Sequence, residues 1–146
     1  MLMSLRSVVS TLVTCLYLAV FVTARRRSWT TGDVRLVGGH RRYVGTVVVN
    51  YRGRWGSVCD DNWGIEEANV VCRQLGYSKA VRASRRSMYG VGRQRMWMRN
   101  VKCTGDEEKL SDCPFAGWDR YTRYRCPGRY RSAGVMCSSK PPTTTT

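Results

Sequence analysis

The stretch Trp55-Gly-Ser-Val-Cys-Asp-Asp-Asn-Trp63 runs from a β-rich segment, through a cysteine, into residues that favour helix starts. Upstream lies Gly45-Thr-Val-Val-Val-Asn50, and Tyr51-Arg-Gly-Arg54 separates the two runs. Two β-rich runs around Gly53 predict a β-hairpin. Downstream, Asp61 or Asn62 is positioned to cap a helix whose first turn carries Glu66 and Glu67, where negative charge suits the helix dipole. Ile65, Ala68, Val71, Cys72 and Leu75 recur at helical spacing, so one stripe should face the core and present a cysteine to it. Arg73 falls in the last turn, and Gly76 is placed to end the helix in a left-handed conformation.

Beyond the helix the pattern is looser. Tyr77 to Arg95 reads as a long basic connection broken by Gly90 and Gly92. Met96 to Lys102 is a plausible strand, Cys103 to Cys113 closes a short acidic loop, and Arg131 to Cys137 reads as a final strand. Residues 139–146, Pro- and Thr-rich, have the composition of a tail or the start of an O-glycosylated stalk. Residues 25–33 form a basic lead-in, and residues 34–138 are left as one domain.

The amino-terminal end assigns a compartment. Arg6 is followed by an uncharged run from Val8 to Ala24, which ends in the small residues Val22-Thr23-Ala24. This predicts a secretory signal peptide over residues 1–24. The rival, a membrane anchor, conflicts with Arg25, Arg26 and Arg27, which would hold the remaining chain in the cytosol. Cleavage removes Cys15 and leaves Cys59, Cys72, Cys103, Cys113, Cys126 and Cys137. Six cysteines in a short exported chain read as three disulfides. Zinc fits poorly, because the cysteines are widely spaced and His40 is the only histidine.

The formal net charge is +15, from 25 Lys and Arg against 10 Asp and Glu. It is unevenly spread. No acid occurs from Ala68 to Gly105, while Arg82, Arg85, Arg86, Arg93, Arg95 and Arg99 fall inside that window. After Cys113 the sole acid is Asp119, beside Arg123, Arg125, Arg129 and Arg131. Such separation can raise a positive field over one face.

Taken together, these segments resemble the scavenger receptor cysteine-rich (SRCR) family. Val34-Arg-Leu-Val-Gly-Gly39 is similar to its opening, Trp55 to Trp63 to its most distinctive stretch, and Val70-Val-Cys-Arg-Gln-Leu-Gly-Tyr77 to its helix. Tyr89-Gly-Val-Gly92 before Met96-Trp-Met98, Cys103-Thr-Gly-Asp-Glu107 leading to Cys113, and Ala133-Gly-Val-Met-Cys137 follow in family order. The resemblance implies a compact α+β fold, a curved antiparallel sheet cradling one helix. It also implies the pairing Cys59–Cys126, Cys72–Cys137 and Cys103–Cys113, the six-cysteine type, with Tyr77 at one position of the extra bridge found in eight-cysteine members.

Family members bind polyanions, microbial surfaces or protein partners, often with calcium. Asp60 and Asp61 match part of that calcium site, but Arg131 and Ser132 stand where later acids are usual, and Arg99 replaces another. Calcium takes several oxygen ligands, usually including multiple carboxylates. Two Asp facing an Arg make a degenerate cage and a good ion pair, so no cofactor is expected and Arg131 is expected to pair with Asp60 or Asp61.

The leading functional expectation is a secreted or cell-surface module that recognises anionic glycans, lipopolysaccharide or other polyanions. The candidate contacts are Arg82, Arg85, Arg86, Arg93, Arg95 and Arg99, with Arg123, Arg125 and Arg129 as a second set. Guanidinium forks suit phosphate, sulfate and carboxylate oxygens. Tyr89, Tyr121, Tyr124 and Tyr130 can add stacking or hydrogen bonds, whereas Trp55, Trp63, Trp97 and Trp118 read as structural. The alternative is a protein-binding or adhesion module of a larger receptor or secreted protein. Intracellular nucleic acid does not fit a secreted, disulfide-bonded chain. An enzyme does not fit either, for with His40 alone there is no Ser-His-Asp or Cys-His set.

Overall fold

A computed structural model of the chain describes residues 5–21, 28–93, 95–118, 126 and 131–139. Helix α1 (Leu5–Phe21) lies within the expected leader, and no described helix is long and apolar enough to cross a membrane. The domain proper contains β1 (Val34–Val37), β2 (Val44–Tyr51), β3 (Arg54–Val58), α2 (Ile65–Gln74), β4 (Ala80–Ser84), β5 (Met96–Met98) and β6 (Gly134–Cys137), with one 3-10 turn at Leu110–Asp112.

The predicted hairpin is β2–β3, in register with Tyr51 opposite Arg54 and Asn50 opposite Trp55. Its turn residues Arg52 and Gly53 both have positive φ, the geometry that matches strand twist in tight hairpins. On its other edge β2 pairs antiparallel with β1. β6 joins the edge of β2 that β3 uses further along, so the chain just before β6 must wedge between them. There the Val47 N–H donates to Ala133 O, the Ala133 N–H donates to Val58 O, and Ser132 bridges Cys59. This insertion curls the sheet into the order β4-β6-β2-β3-β5. The sheet is antiparallel except at its last pair, where β5 runs parallel to β3.

β2 is buried over its full length because both of its faces are covered. Val47, Val49 and Tyr51 join Val34, Val58, Ala68, Val71, Cys72, Met98 and Val135 in the core beneath α2. Thr46, Val48 and Asn50 point the other way, and residues 87–93 cover that face. Here Thr46 Oγ1 donates to Gly90 O at 2.7 Å, Ser57 Oγ donates to Arg93 O at 2.9 Å and accepts from the Arg93 N–H at 2.7 Å, and Ser132 Oγ donates to Val91 O at 2.8 Å.

The long connection of the sequence reading is therefore two structures, edge strand β4 followed by a loop clamped onto the sheet. Gly92 makes the close approach feasible: its φ is +68°, and a Cβ there would lie 2.6 Å from Ser57 Oγ. We expect Gly92→Ala to lower stability by about 1–3 kcal/mol through strain and overpacking, read as a fall in the urea midpoint at unchanged m.

The helix starts later than expected. Gly64 is the N-cap, and Glu67 accepts its N–H at 2.9 Å with one oxygen while the other accepts the Cys103 N–H at 2.8 Å. Asp61 and Asn62 instead reach Asn100, which leaves the capping to the Glu67 side chain. Ile65, at the first helical position, is 44% exposed, whereas Ala68, Val71 and Cys72 are fully buried. Gly76 ends the helix at φ +88° as expected. The three disulfides are Cys59–Cys126, Cys72–Cys137 and Cys103–Cys113, and Cys15 is free.

Candidate functional site

Asp60 follows directly on Cys59, which bridges Ser132 just past the end of β3, so its carboxylate is delivered to the turn that leads out of β4. The residue is 0% exposed. Oδ1 accepts from Arg131 Nε at 2.7 Å and Oδ2 accepts from the Arg86 N–H at 2.6 Å, while the Asp60 carbonyl accepts from Arg85 Nε at 3.0 Å. The turn that aims these groups is unusual, since Arg86 and Ser87 both have positive φ. Its distortion is held by two Ser87–Ser132 hydrogen bonds.

Of the two aspartates that the sequence offered to Arg131, Asp60 makes the pair. Asp61 Oδ1 accepts the Asn100 N–H instead. Every Asp60 oxygen thus already faces a donor, and two of the donors are guanidinium groups. Cys59 and Cys126 lie close to Asp60, but their sulfurs are joined to each other. This donor set does not fit a calcium ion, which needs several free oxygen ligands.

The expected arginine contacts are distributed unevenly. Arg85 and Arg86 meet at Asp60 and are exposed, and Arg131, on the same aspartate, is one third exposed (32%). Arg93 is exposed on the clamped loop, and Arg95 lies 5.7 Å above the Trp97 ring. Arg82 projects from β4 and Arg95 lies just ahead of β5, at the two ends of the strand order. Arg99 is half-buried. Arg123, Arg125 and Arg129, with Tyr121, Tyr124 and Tyr130, lie outside the described residues. Tyr89 accepts or donates a hydrogen bond with Ser84 at 3.2 Å and packs beside Gly134, a supporting position under the loop.

Among the tryptophans, Trp63 and Trp97 are buried and donate to Gly134 O and Arg54 O, and Trp118 stacks on Tyr51. Trp55 is only half-buried. Sequence reasoning missed what surrounds it: Arg35 lies 4.2 Å over its ring, and Trp29 meets it edge-on at 5.1 Å. The alternation of Val34-Arg-Leu-Val held the signal, because it turns Arg35 away from the core face that Val34 and Leu36 share. In the acidic loop, Glu107 is held below the usual carboxylate range, foremost by the Thr104 N–H. It organises the Cys103–Cys113 turn, and its backbone carbonyl accepts from Arg73 at 3.0 Å.

Residues 37–138 match the family model described as the scavenger receptor cysteine-rich domain. Galectin-3-binding protein of Mesocricetus auratus is 46% identical over 109 residues, which are 75% of this chain and 18% of that protein. The chain therefore spans less than a fifth of the length of that relative. Among solved structures, the third SRCR domain of murine neurotrypsin is similar at 42% identity and TM-score 0.61, covering 72% of this chain and 94% of that one. The dimeric form of the SRCR domain of mouse MARCO is similar at 39% identity and TM-score 0.56, with the same coverage.

Proposed function

Since the chain belongs to the scavenger receptor cysteine-rich family, a family of binding modules and not of enzymes, we propose that it acts outside the cell, secreted or at the cell surface, and takes up polyanions through its arginine-rich loop face without a metal ion. One observation carries the reading. Arg131 pairs with the buried carboxylate of Asp60, Arg85 donates its Nε to the Asp60 backbone carbonyl, and Arg86 is tied to the same residue through its backbone N–H, so three arginines are anchored around one aspartate. An anion docking there needs no bridging cation, because the guanidinium of Arg131 already faces the carboxylate where a metal would be required. The buried disulfides suit an oxidising compartment. Anionic glycans and lipopolysaccharide have the matching charge.

The test is retention on immobilised heparin and lipopolysaccharide across a salt series, with calcium and then with EDTA. Three neutralised anionic groups predict a loss on the order of 40-fold between 50 and 200 mM salt, by the counterion-release slope known for nucleic acids. Retention should ignore EDTA, and the double charge reversal Arg85→Glu with Arg86→Glu should abolish it. Retention lost in EDTA would mean that Asp60 and Asp61 hold calcium after all.

A protein-binding role is the second reading, and one feature favours it. Met88 and Val91 expose apolar side chains on the same loop as the arginines. That reading predicts a specific protein partner whose binding barely changes with salt.

A further inference from the structure

Arg35, Asn50, Trp55, Arg93 and Trp29 form a second constellation, on the loop-covered face of the sheet. Asn50 and Trp55 are cross-strand partners, and Arg35 reaches from β1 across β2 to lie on the Trp55 ring. Two hydrogen-bond donors are left over here. Arg35 Nε is buried without a partner. Asn50 is 1% exposed, uses its Oδ1 to accept the Gly53 N–H, and leaves Nδ2 without a partner. A buried donor left unsatisfied costs about 1–3 kcal/mol, so each asks for an acceptor.

The charge around the two donors says what kind of acceptor fits. Among the described residues no carboxylate pairs with Arg35. Burial, and then the positive charge of Arg93, push the Arg35 pKa below the ordinary arginine value. A water molecule would satisfy the donors but leave that positive field uncompensated. An oxyanion would do both.

Trp29 adds the second requirement. It is 45% exposed and packs against Trp55 from the segment before β1, so it can shift without breaking a strand. A flat aromatic face beside cationic donors suits a ring that is apolar on one side and anionic at one substituent.

We propose that this site takes an acidic sugar residue, its carboxylate or sulfate oxygens accepting from Arg35 and Asn50 and its pyranose ring lying against Trp29. The inference rests on the polyanion reading and names the unit of the polymer that is read individually, as distinct from the diffuse attraction at Arg85, Arg86 and Arg131.

Proton–nitrogen correlation NMR of the full chain, expressed through the secretory pathway, tests it with glucuronate, glucose sulfate and neutral glucose as probes. Both acidic sugars should shift the indole signals of Trp29 and Trp55 and the side-chain signals of Arg35 and Asn50, and glucose should shift none. Trp29→Ala, a change at an exposed position, should weaken the acidic sugars about tenfold, the scale of one stacked ring and its buried area. Arg35→Lys keeps the charge, loses the Nε donor and should weaken them as well. If these signals stay fixed while heparin moves those of Arg85 and Arg86, the sugar site is wrong and the polyanion reading stands. If neither set responds, both fail.

Discussion

Replacing Asp60 by alanine is expected to cost about 3 kcal/mol of stability, the low end for breaking a buried ion pair, because Arg131 is one third exposed and can turn partly to water. The substitution removes the acceptor of the Arg86 N–H together with the partner of Arg131 Nε, and it unties the turn at Arg86–Ser87 that starts the clamped loop. Asp60→Asn keeps one acceptor oxygen and the shape, so it should lose less. Urea unfolding at fixed salt measures both. The same variant separates two kinds of site. Taking a negative charge from among three arginines should leave heparin binding of the folded protein unchanged or tighter. If the carboxylate serves as a metal ligand, binding by the folded protein would be lost.

Removal of the Cys72–Cys137 bridge, as Cys72→Ala with Cys137→Ala, is the other large effect. The bond closes a sequence separation of 65 residues, for which the loop-entropy relation gives about 4 kcal/mol. Both cysteines also sit in the main core, where Cys72 ties α2 to β6, so the loss of packing adds to the loss of the constraint. We expect a chain that is largely unfolded at body temperature. The Cys103–Cys113 bridge spans only 10 residues, worth about 3 kcal/mol by the same relation, at the edge of the fold around the Glu107 turn. Its removal should leave a folded domain with a lowered midpoint. Thermal unfolding followed by circular dichroism distinguishes the two, and equal losses would show that core packing around Cys72 contributes little.

The parts of this fold that could be read in advance are those with strong local chemistry. Trp55 to Trp63 carries most of β3 and a bridged cysteine within nine residues and ends just short of the Gly64 cap, and the hairpin and α2 lie on either side of it. The cysteine pairing could not be deduced from spacing and came through the resemblance. β4 escaped because Ala80-Val-Arg-Ala-Ser84 lies at a sheet edge, where Val81 and Arg82 are exposed and only the ends are buried, so no alternation marks it. The helix cap was misplaced because Asp61 and Asn62 have the right chemistry but are drawn to Asn100, a contact made 38 residues away and invisible locally. The pairing of Arg131 with an aspartate could be anticipated from charge substitution. The Arg35–Asn50 site could not, because its signal is a pair of unmet donors, which exist only once β1, β2 and the loop are assembled.

The double covering of β2 has a consequence for energetics of recognition. A loop held by hydroxyl groups of Thr46 on β2, Ser57 on β3 and Ser132 ahead of β6 is already ordered before any partner arrives. Arg93, and Arg85 and Arg86 just ahead of the loop, stand on a fixed backbone, so in the proposed role the free energy that a floppy basic loop would spend on ordering its backbone is left for affinity. Amide exchange in β2 and in residues 87–93 should accordingly slow together, as one cooperative unit whose opening exposes core and binding face at once.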